Sequence, residues 1–325
     1  MTRDISQGRR AFLHAGTALG IAAAIPHVQA QSLAATTAPR ALRIGYQKGL
    51  LSILKGRGTL EKRLAPLGTR VEWIEFPSGP PQLEALNVGS IDFGDVGEAP
   101  PIFAQAAGAP FVYYGQTGRR PASEAVIVKK ESPVRSFAEL KGKRIALVKG
   151  SNTHFLLVRL LAAAGLAYTD VTPVWLSPSD ARAAFERNAV DAWAIWDPFL
   201  AVAQQTANAR IVADGTGVVA NRAFYFTSRT YVEKNDDVLR IALAEIGAAD
   251  TWIEANRDQA AVEFSQLWGV PRDIVATALG RLKHGTEPIS RDTISDQQRI
   301  ADAFFDLKLV PRKIDVAQAA PPSLG

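Results

Sequence analysis

The chain has 325 residues, 47% of them hydrophobic and 21% charged, an ordinary globular composition with room for about two domains. It contains no cysteine, which excludes disulfides, thiolate metal sites, iron–sulfur clusters and cysteine nucleophiles. The formal charge of +5 falls to +3 without residues 1–30, where Arg3, Arg9 and Arg10 outweigh Asp4, too small an excess to suggest a nucleic-acid partner.

Residues 1–30 join Arg9-Arg10, a short apolar run from Ala15 to Ile25 and the small-residue end Gln29-Ala30. That is the layout of a twin-arginine export signal, with cleavage expected after Ala30 and a periplasmic destination. The apolar run falls short of the roughly 20 residues a spanning helix needs.

From Leu42 onward, short apolar runs alternate with helical patterns. Strands are predicted at 42–46, 71–76, 91–94 and 111–114, with helices at 50–64, 79–88 and 99–107 between them. The alternation repeats, with strands at 145–148, 174–176, 192–196 and 210–212 and helices at 152–164, 178–188 and 198–207. Such alternation predicts an α/β fold of two doubly wound lobes with parallel sheets. Strand-like Ala125–Lys129 and Phe224–Ser228 are predicted to cross between the lobes as a two-strand hinge. Lobe one is then discontinuous, 41–124 plus 228–316, and lobe two is 125–227. The region from Arg229 is helical, at 236–256, 258–269, 271–283 and 291–307, and is expected to pack back on lobe one; 317–325 reads as a flexible tail.

An internal repeat supports two similar lobes. Arg43-Ile44-x-x-x-Lys48-Gly49 recurs as Arg144-Ile145-x-x-x-Lys149-Gly150, and Ile91-Asp92, with Glu98 and Pro100 behind it, as Val190-Asp191, with Asp197 and Pro198 behind it.

In open parallel sheets, ligands bind beyond the carboxyl ends of the strands, which directs attention to four loops. Gly150-Ser151-Asn152-Thr153-His154 joins a strand to an apolar helix. Its free N–H groups and hydroxyls suit an anion, although plain helix capping accounts for the same residues. Gln47-Lys48-Gly49-Leu50 is the matching turn of lobe one, with Lys48 toward either ligand or solvent. Ser78, Gly79 and Gln82 belong to a third strand-to-helix turn, which also reads as purely structural. Gly97-Glu98 and Trp196-Asp197 follow two further strands. Trp196 offers an apolar wall, and the acids are candidates for ligand contact or for capping. His154 and His284 are the only histidines after residue 30, without a triad or metal-ligand spacing. No catalytic residue, metal site or cofactor motif is assigned.

At these residues the chain resembles the periplasmic aliphatic-sulfonate-binding proteins of ABC importers. The resemblance rests on LRIGYQKG (42–49), VEWIEFPSGP (71–80), LEALNVGSIDFG (83–94), PPIFAQAAGA (100–109), LKGKRIALVKGSNTH (140–154), DARAAFERNAVDAWAIWDPF (180–199) and LVPRKIDV (309–316). It implies a type II periplasmic-binding-protein fold and a monomeric receptor. Such a receptor holds a small organosulfonate by N–H groups and helix N-termini and delivers it to a membrane permease. Leu50, where relatives often carry Ser, Glu98 in place of Asp, and Arg119-Arg120 depart from the pattern. Taurine, nitrate, a sulfate ester or a thiamine precursor are the alternative ligands. Desulfinase-like chemistry on the same fold is the enzyme alternative. A permanently ionised sulfonate among neutral donors is expected to bind with little pH dependence between about 5 and 8, His154 being the group able to alter this.

Overall fold

The computed structural model describes residues 40–321 and 324; the expected export signal and its cleavage point after Ala30 lie outside the described residues. The first run comprises β1 (Arg40–Tyr46), α1 (Leu50–Arg57), α2 (Thr59–Leu64), β2 (Thr69–Glu75), α3 (Gly79–Asn87), β3 (Phe93–Gly97), α4 (Pro100–Ala106) and β4 (Phe111–Thr117). The second comprises β5 (Glu124–Lys129), β6 (Arg144–Leu147), α5 (Asn152–Ala163), β7 (Thr172–Trp175), α6 (Pro178–Glu186), β8 (Ala192–Trp196), α7 (Phe199–Thr206) and β9 (Ala209–Asp214). There follow β10 (Ala223–Ser228), α8 (Arg229–Ala255), α9 (Arg257–Trp268), α10 (Arg272–Arg281), β11 (Thr286–Glu287) and α11 (Arg291–Asp306).

These elements form two sheets, one with strand order β11-β4-β10-β3-β1-β2 and one with β7-β6-β8-β5-β9. The repeated sequence signature has a structural cause. Asp92 accepts the Arg43 backbone N–H at 2.9 Å and its guanidinium at 2.6 Å, and Asp191 likewise accepts the Arg144 backbone N–H at 2.8 Å and its guanidinium at 3.3 Å. Arg43 lies within β1 and Arg144 opens β6, each the strand next to a sheet edge, and each aspartate directly precedes the parallel neighbour, β3 or β8. The pair therefore sets the register of β1 on β3 and of β6 on β8.

Not all pairing is parallel. β10 lies antiparallel between β3 and β4, and β5 lies antiparallel between β8 and β9. The chain enters each lobe from the end where β4 and β9 leave the other, so the entering strand must run backwards. Ala125–Lys129 and Phe224–Ser228 are thus not a pair of free crossing strands. Each is embedded in one sheet, Phe224–Ser228 in the first, and the irregular segments 118–123 and 215–222 make the crossings.

Side chains alternate across both sheets as the pleat requires. Phe224 and Phe226 pack on one side with Phe111, Tyr113 and Phe304, while Tyr225 and Val112 face the other with Leu42, Ile44 and Leu239. In the second sheet Val126, Val128 and Ile145 face α5, and Ile127, Trp193 and Ile195 face α6 and α7. Burying such side chains contributes about 1.5–3 kcal/mol each, and Phe155 and Val158 of α5 join the first of these clusters, so the core runs across both lobes.

The single helix expected over 50–64 is broken at Gly58, whose φ of 62° is left-handed and closes α1. The helix expected from 236 begins past a kink, where Asn235 has φ of −137°; a short helical segment precedes it from Arg229, capped by Ser228 through the Tyr231 N–H. Some of the described residues near the end of the chain pack, where 317–325 was expected to be flexible. Val316 and Ala319 are buried in the first core, with Leu324 against them. The helical region also does more than cover lobe one. Ile274 and Ala278 of α10 pack on Ala201 of α7, in the second lobe.

Candidate ligand-binding cleft

A cavity of about 130 Å³ lies where the carboxyl ends of β1, β3, β6 and β8 meet, walled by both lobes, the crossing segments and the tail. Gln47, Lys48, Gly49 and Leu50 line it from the first lobe, and Ser151 and Asn152 from the second. The two repeated turns therefore share one space. Gly79, Gly97, Trp196 and Asp197 also line it.

Each turn is shaped by its neighbours. Gln47 donates to Gln82 Oε1 at 3.2 Å and to the Asp95 carbonyl at 3.1 Å, which uses both amide hydrogens. Lys48, which also lines the cavity, donates from its ammonium to the Trp268 carbonyl at the end of α9, at 2.8 Å, where a cation complements the helix dipole. In the second turn Gly150 has φ of 74°, and Ser151 Oγ donates to the Val148 carbonyl at 2.7 Å and meets Thr153 Oγ1 at 2.9 Å. Ser151 makes no side-chain cap to α5, so simple N-capping does not explain it.

Asn152 is the seam between the lobes. Its Oδ1 accepts the Ala99 N–H at 3.3 Å, and its Nδ2 donates to Asn221 Oδ1 at 2.6 Å. Asn221 in turn donates to the Arg120 carbonyl and to Ser123 Oγ, both at 3.0 Å. A Cβ on Gly97 would overlap the Asn152 side chain.

Six candidates take other places. Ser78 and Gln82 are buried beneath the cleft wall, with Gln82 donating to the Gly45 carbonyl at 2.8 Å. Gly150, Thr153 and His154 support the second turn from behind. His154 Nδ1 accepts the Gly150 N–H at 3.2 Å, which leaves its other nitrogen to donate to Tyr168 Oη at 2.8 Å. Enclosed by Phe103, Trp175 and Phe304, it is pushed down to about 3 by burial first and by Lys149 second, and so stays neutral. Glu98 faces away from the cleft. Its Oε2 accepts the Arg222 N–H at 3.2 Å, and burial pushes its carboxyl up to about 7.

Asp197 lines the cleft but is already engaged. Its Oδ1 caps α7 through the Ala201 N–H at 3.1 Å and accepts the Arg281 guanidinium at 3.0 Å. Burial still pushes its carboxyl up to about 6, against the pull of Arg281.

Several lining residues were not among the candidate site residues. Arg120 comes from the first crossing segment, Asp95 and Tyr225 from β3 and β10, and His284 from the turn after α10. Asp95 Oδ1, Arg120 Nε, Tyr225 Oη and His284 Nε2 are buried without a hydrogen-bond partner among the described residues. Asp95 is pushed up to about 6 by loss of water, with Arg120 opposing. His284 Nδ1 lies 3.3 Å from Asp250, which also accepts Thr286 Oγ1 at 2.6 Å. Buried polar atoms are ordinarily paired, so four open ones around one cavity mark a place built for a polar guest. Leu50, Trp196, Phe264 and Leu279 give that guest an apolar wall. Only the basic run Gly118-Arg119-Arg120-Pro121 signals any of this in the sequence.

Known proteins agree with this architecture. Residues 68–260 match the family described as NMT1/THI5 like. A protein of Escherichia coli named as an aliphatic sulfonates-binding protein is 43% identical over 290 residues, 88% of this chain and 90% of its own. The solved alkanesulfonate-binding protein of Xanthomonas axonopodis pv. citri, bound to MOPS, is 41% identical with a TM-score of 0.84 over 88% of this chain and 99% of its own. The solved periplasmic aliphatic sulphonate binding protein of Escherichia coli is 42% identical with a TM-score of 0.79 over 87% of this chain and 92% of its own. On fold, coverage and identity together, the chain belongs to the NMT1/THI5-like family and to the aliphatic sulfonate-binding proteins.

Proposed function

We propose that this chain is an exported solute receptor, monomeric in the periplasm after cleavage behind Ala30, which closes over a small organosulfonate and presents it to the permease of an ABC importer. The observation that carries the reading is the single cavity shared by the turns 47–50 and 151–152, with the Arg120 Nε inside it unpartnered. Helix N-termini at α1 and α5 supply N–H groups, and Arg120 supplies a guanidinium suited to an oxyanion. The neutral-donor site implied by the resemblance thus gains a cation. The alkyl part of the ligand would lie against Trp196, Leu50 and Phe264. The ligands named for the Xanthomonas axonopodis relative, alkanesulfonates and MOPS, likewise join a sulfonate head to an organic body.

Isothermal titration with methanesulfonate, hexanesulfonate and MOPS tests the proposal. One-to-one binding at micromolar Kd, worth about −8 kcal/mol, is expected, together with its loss in Ser151→Asp at unchanged circular dichroism. A thermal-shift panel with taurine, nitrate, a sulfate ester and a thiamine precursor separates the alternatives, since a ligand at a hundredfold Kd adds about 2.7 kcal/mol of stability. Absence of binding to every sulfonate removes the proposal, and release of a product from one would make the chain an enzyme instead.

A further inference from the structure

A second cavity, of about 430 Å³, lies between the lobes on the other side of the crossing segments. Arg119 and Pro121 line it where the intervening Arg120 lines the cleft. Residues 217–220 line it where Asn221 lines the cleft. The crossing segments are thus a partition with one face to each space. The first lobe contributes Glu98 and α11, and the second contributes Phe155 and Arg159 of α5.

The chemistry of this cavity is graded. At its exposed mouth stand Arg119, Arg159 and Arg299, with side chains of Arg119 and Arg299 65% and 71% accessible. One carboxylate serves two of them: Asp296 lies 3.7 Å from Arg119 and contacts Arg299. Among the described residues Arg159 donates to the Val218 carbonyl alone, at 3.4 Å. Positive charge is in excess there. The walls are apolar, from Phe155, Val219 and Ile300. At the buried end is Glu98, 2% exposed, whose Oε1 has no hydrogen-bond partner among the described residues. An enclosed carboxyl oxygen without a partner is a costly feature, and here it borders an open cavity.

We propose that this cavity is a second ligand site, for a small organic monoanion with an apolar body. Its charged end pairs with the guanidinia of Arg119, Arg159 and Arg299, and its far end hydrogen-bonds the Glu98 carboxyl. Arginine forks match a carboxylate or sulfonate head in two contacts at once. The apolar walls exclude a bare inorganic anion as the preferred guest.

The probe is 4-hydroxybenzoate, which carries a carboxylate, a ring and a hydroxyl at opposite ends. It is titrated calorimetrically into the protein with hexanesulfonate present in excess. The expected result is one-to-one binding at a Kd of about 1 mM or below. It should weaken at least tenfold in the Arg159→Ala/Arg299→Ala double variant and stay unchanged in Trp196→Ala, all with native circular dichroism. Benzoate, lacking the far hydroxyl, should bind several-fold more weakly. Absence of binding, equal affinity in the double arginine variant, or sensitivity to Trp196→Ala each overturns the proposal, the last by placing the probe in the sulfonate cleft. The arginine variants do not touch that cleft, so failure here leaves the sulfonate reading standing.

Discussion

Asp197 and Arg281 form an ion pair at 3.0 Å between the second lobe and the helical tail, with the carboxylate 2% and the guanidinium 18% exposed. The same carboxylate caps α7, and Arg281 ends α10, which packs on α7. The tail, rooted on the first lobe through α8, is thus tied to the second lobe beside the ligand cleft.

Breaking this pair should be costly. Arg281→Ala leaves a buried carboxylate without its partner and is expected to lower stability by about 3 kcal/mol at pH 8. The loss should shrink at pH 5, because the Asp197 carboxyl, already raised to about 6, rises further without the guanidinium and takes up a proton. Asp197→Asn in the same background should recover much of the loss. Urea unfolding of the four proteins of the cycle measures the coupling. A cycle that closes at zero removes the tie.

Asp95 is expected to make ligand binding depend on pH, where the sequence alone suggested little dependence. His154, the group suspected of doing so, is buried, neutral and outside the cleft. Asp95 is inside it, with its carboxyl at about 6 beside Arg120. A sulfonate keeps its charge, so the change comes from the protein: above pH 6 Asp95 is negative and repels the guest, and below it Asp95 is neutral and frees Arg120. Sulfonate affinity should therefore rise about three- to tenfold from pH 8 to pH 5, an interaction near 1 kcal/mol. Asp95→Asn should hold the low-pH affinity at both values. Titration calorimetry of both proteins at the two pH values decides, and equal affinities in the wild type would remove Asp95 from the ligand's surroundings.

Local signals made much of the fold legible. Alternating apolar runs located the first ten strands and the helices between them, and the Arg43/Asp92 and Arg144/Asp191 echo proved to be a pair of equivalent clamps. Residues whose role depends on distant partners were not legible. Arg281 meets Asp197 across 84 positions and Lys48 meets Trp268 across 220, and neither separation leaves a trace in spacing. Of the sixteen candidate site residues, ten line the cleft and six, Gln82 and His154 among them, lie behind its wall; a turn carries no periodicity to tell its two faces apart.

Glu124 is an internal weakness of the crossing. It is wholly buried, neither carboxyl oxygen has a partner among the described residues, and burial followed by the nearby Glu98 raises it well above the usual carboxylate range. With the folded pKa above the unfolded one, the folded state holds a proton that the unfolded chain has released. Stability from this group is full below about pH 4.5 and falls as pH rises toward the elevated folded value. Glu124→Gln should stabilise the protein by about 1–3 kcal/mol at pH 8 and by little at pH 4.5. Thermal unfolding at the two values checks it, and an equal or negative change at pH 8 would show that the carboxylate has a partner after all.

Gly97 offers the sharpest test of how the lobes meet. Its backbone is ordinary extended strand, so an alanine costs no strain there; the obstacle is space, since the new Cβ would overlap Asn152 of the other lobe. Asn152 cannot simply swing aside, being held by Ala99 and by the Asn221 network. The overlap, or the loss of the Asn152 hydrogen bonds that relieves it, should lower the unfolding free energy by about 1–3 kcal/mol. Sulfonate affinity should fall about tenfold, or 1.4 kcal/mol, because closure is blocked. In an Asn152→Ala background the obstacle is absent, and adding Gly97→Ala should then cost nothing further. Unchanged calorimetric affinity in the single variant would mean that the ligand is held without this contact between the lobes.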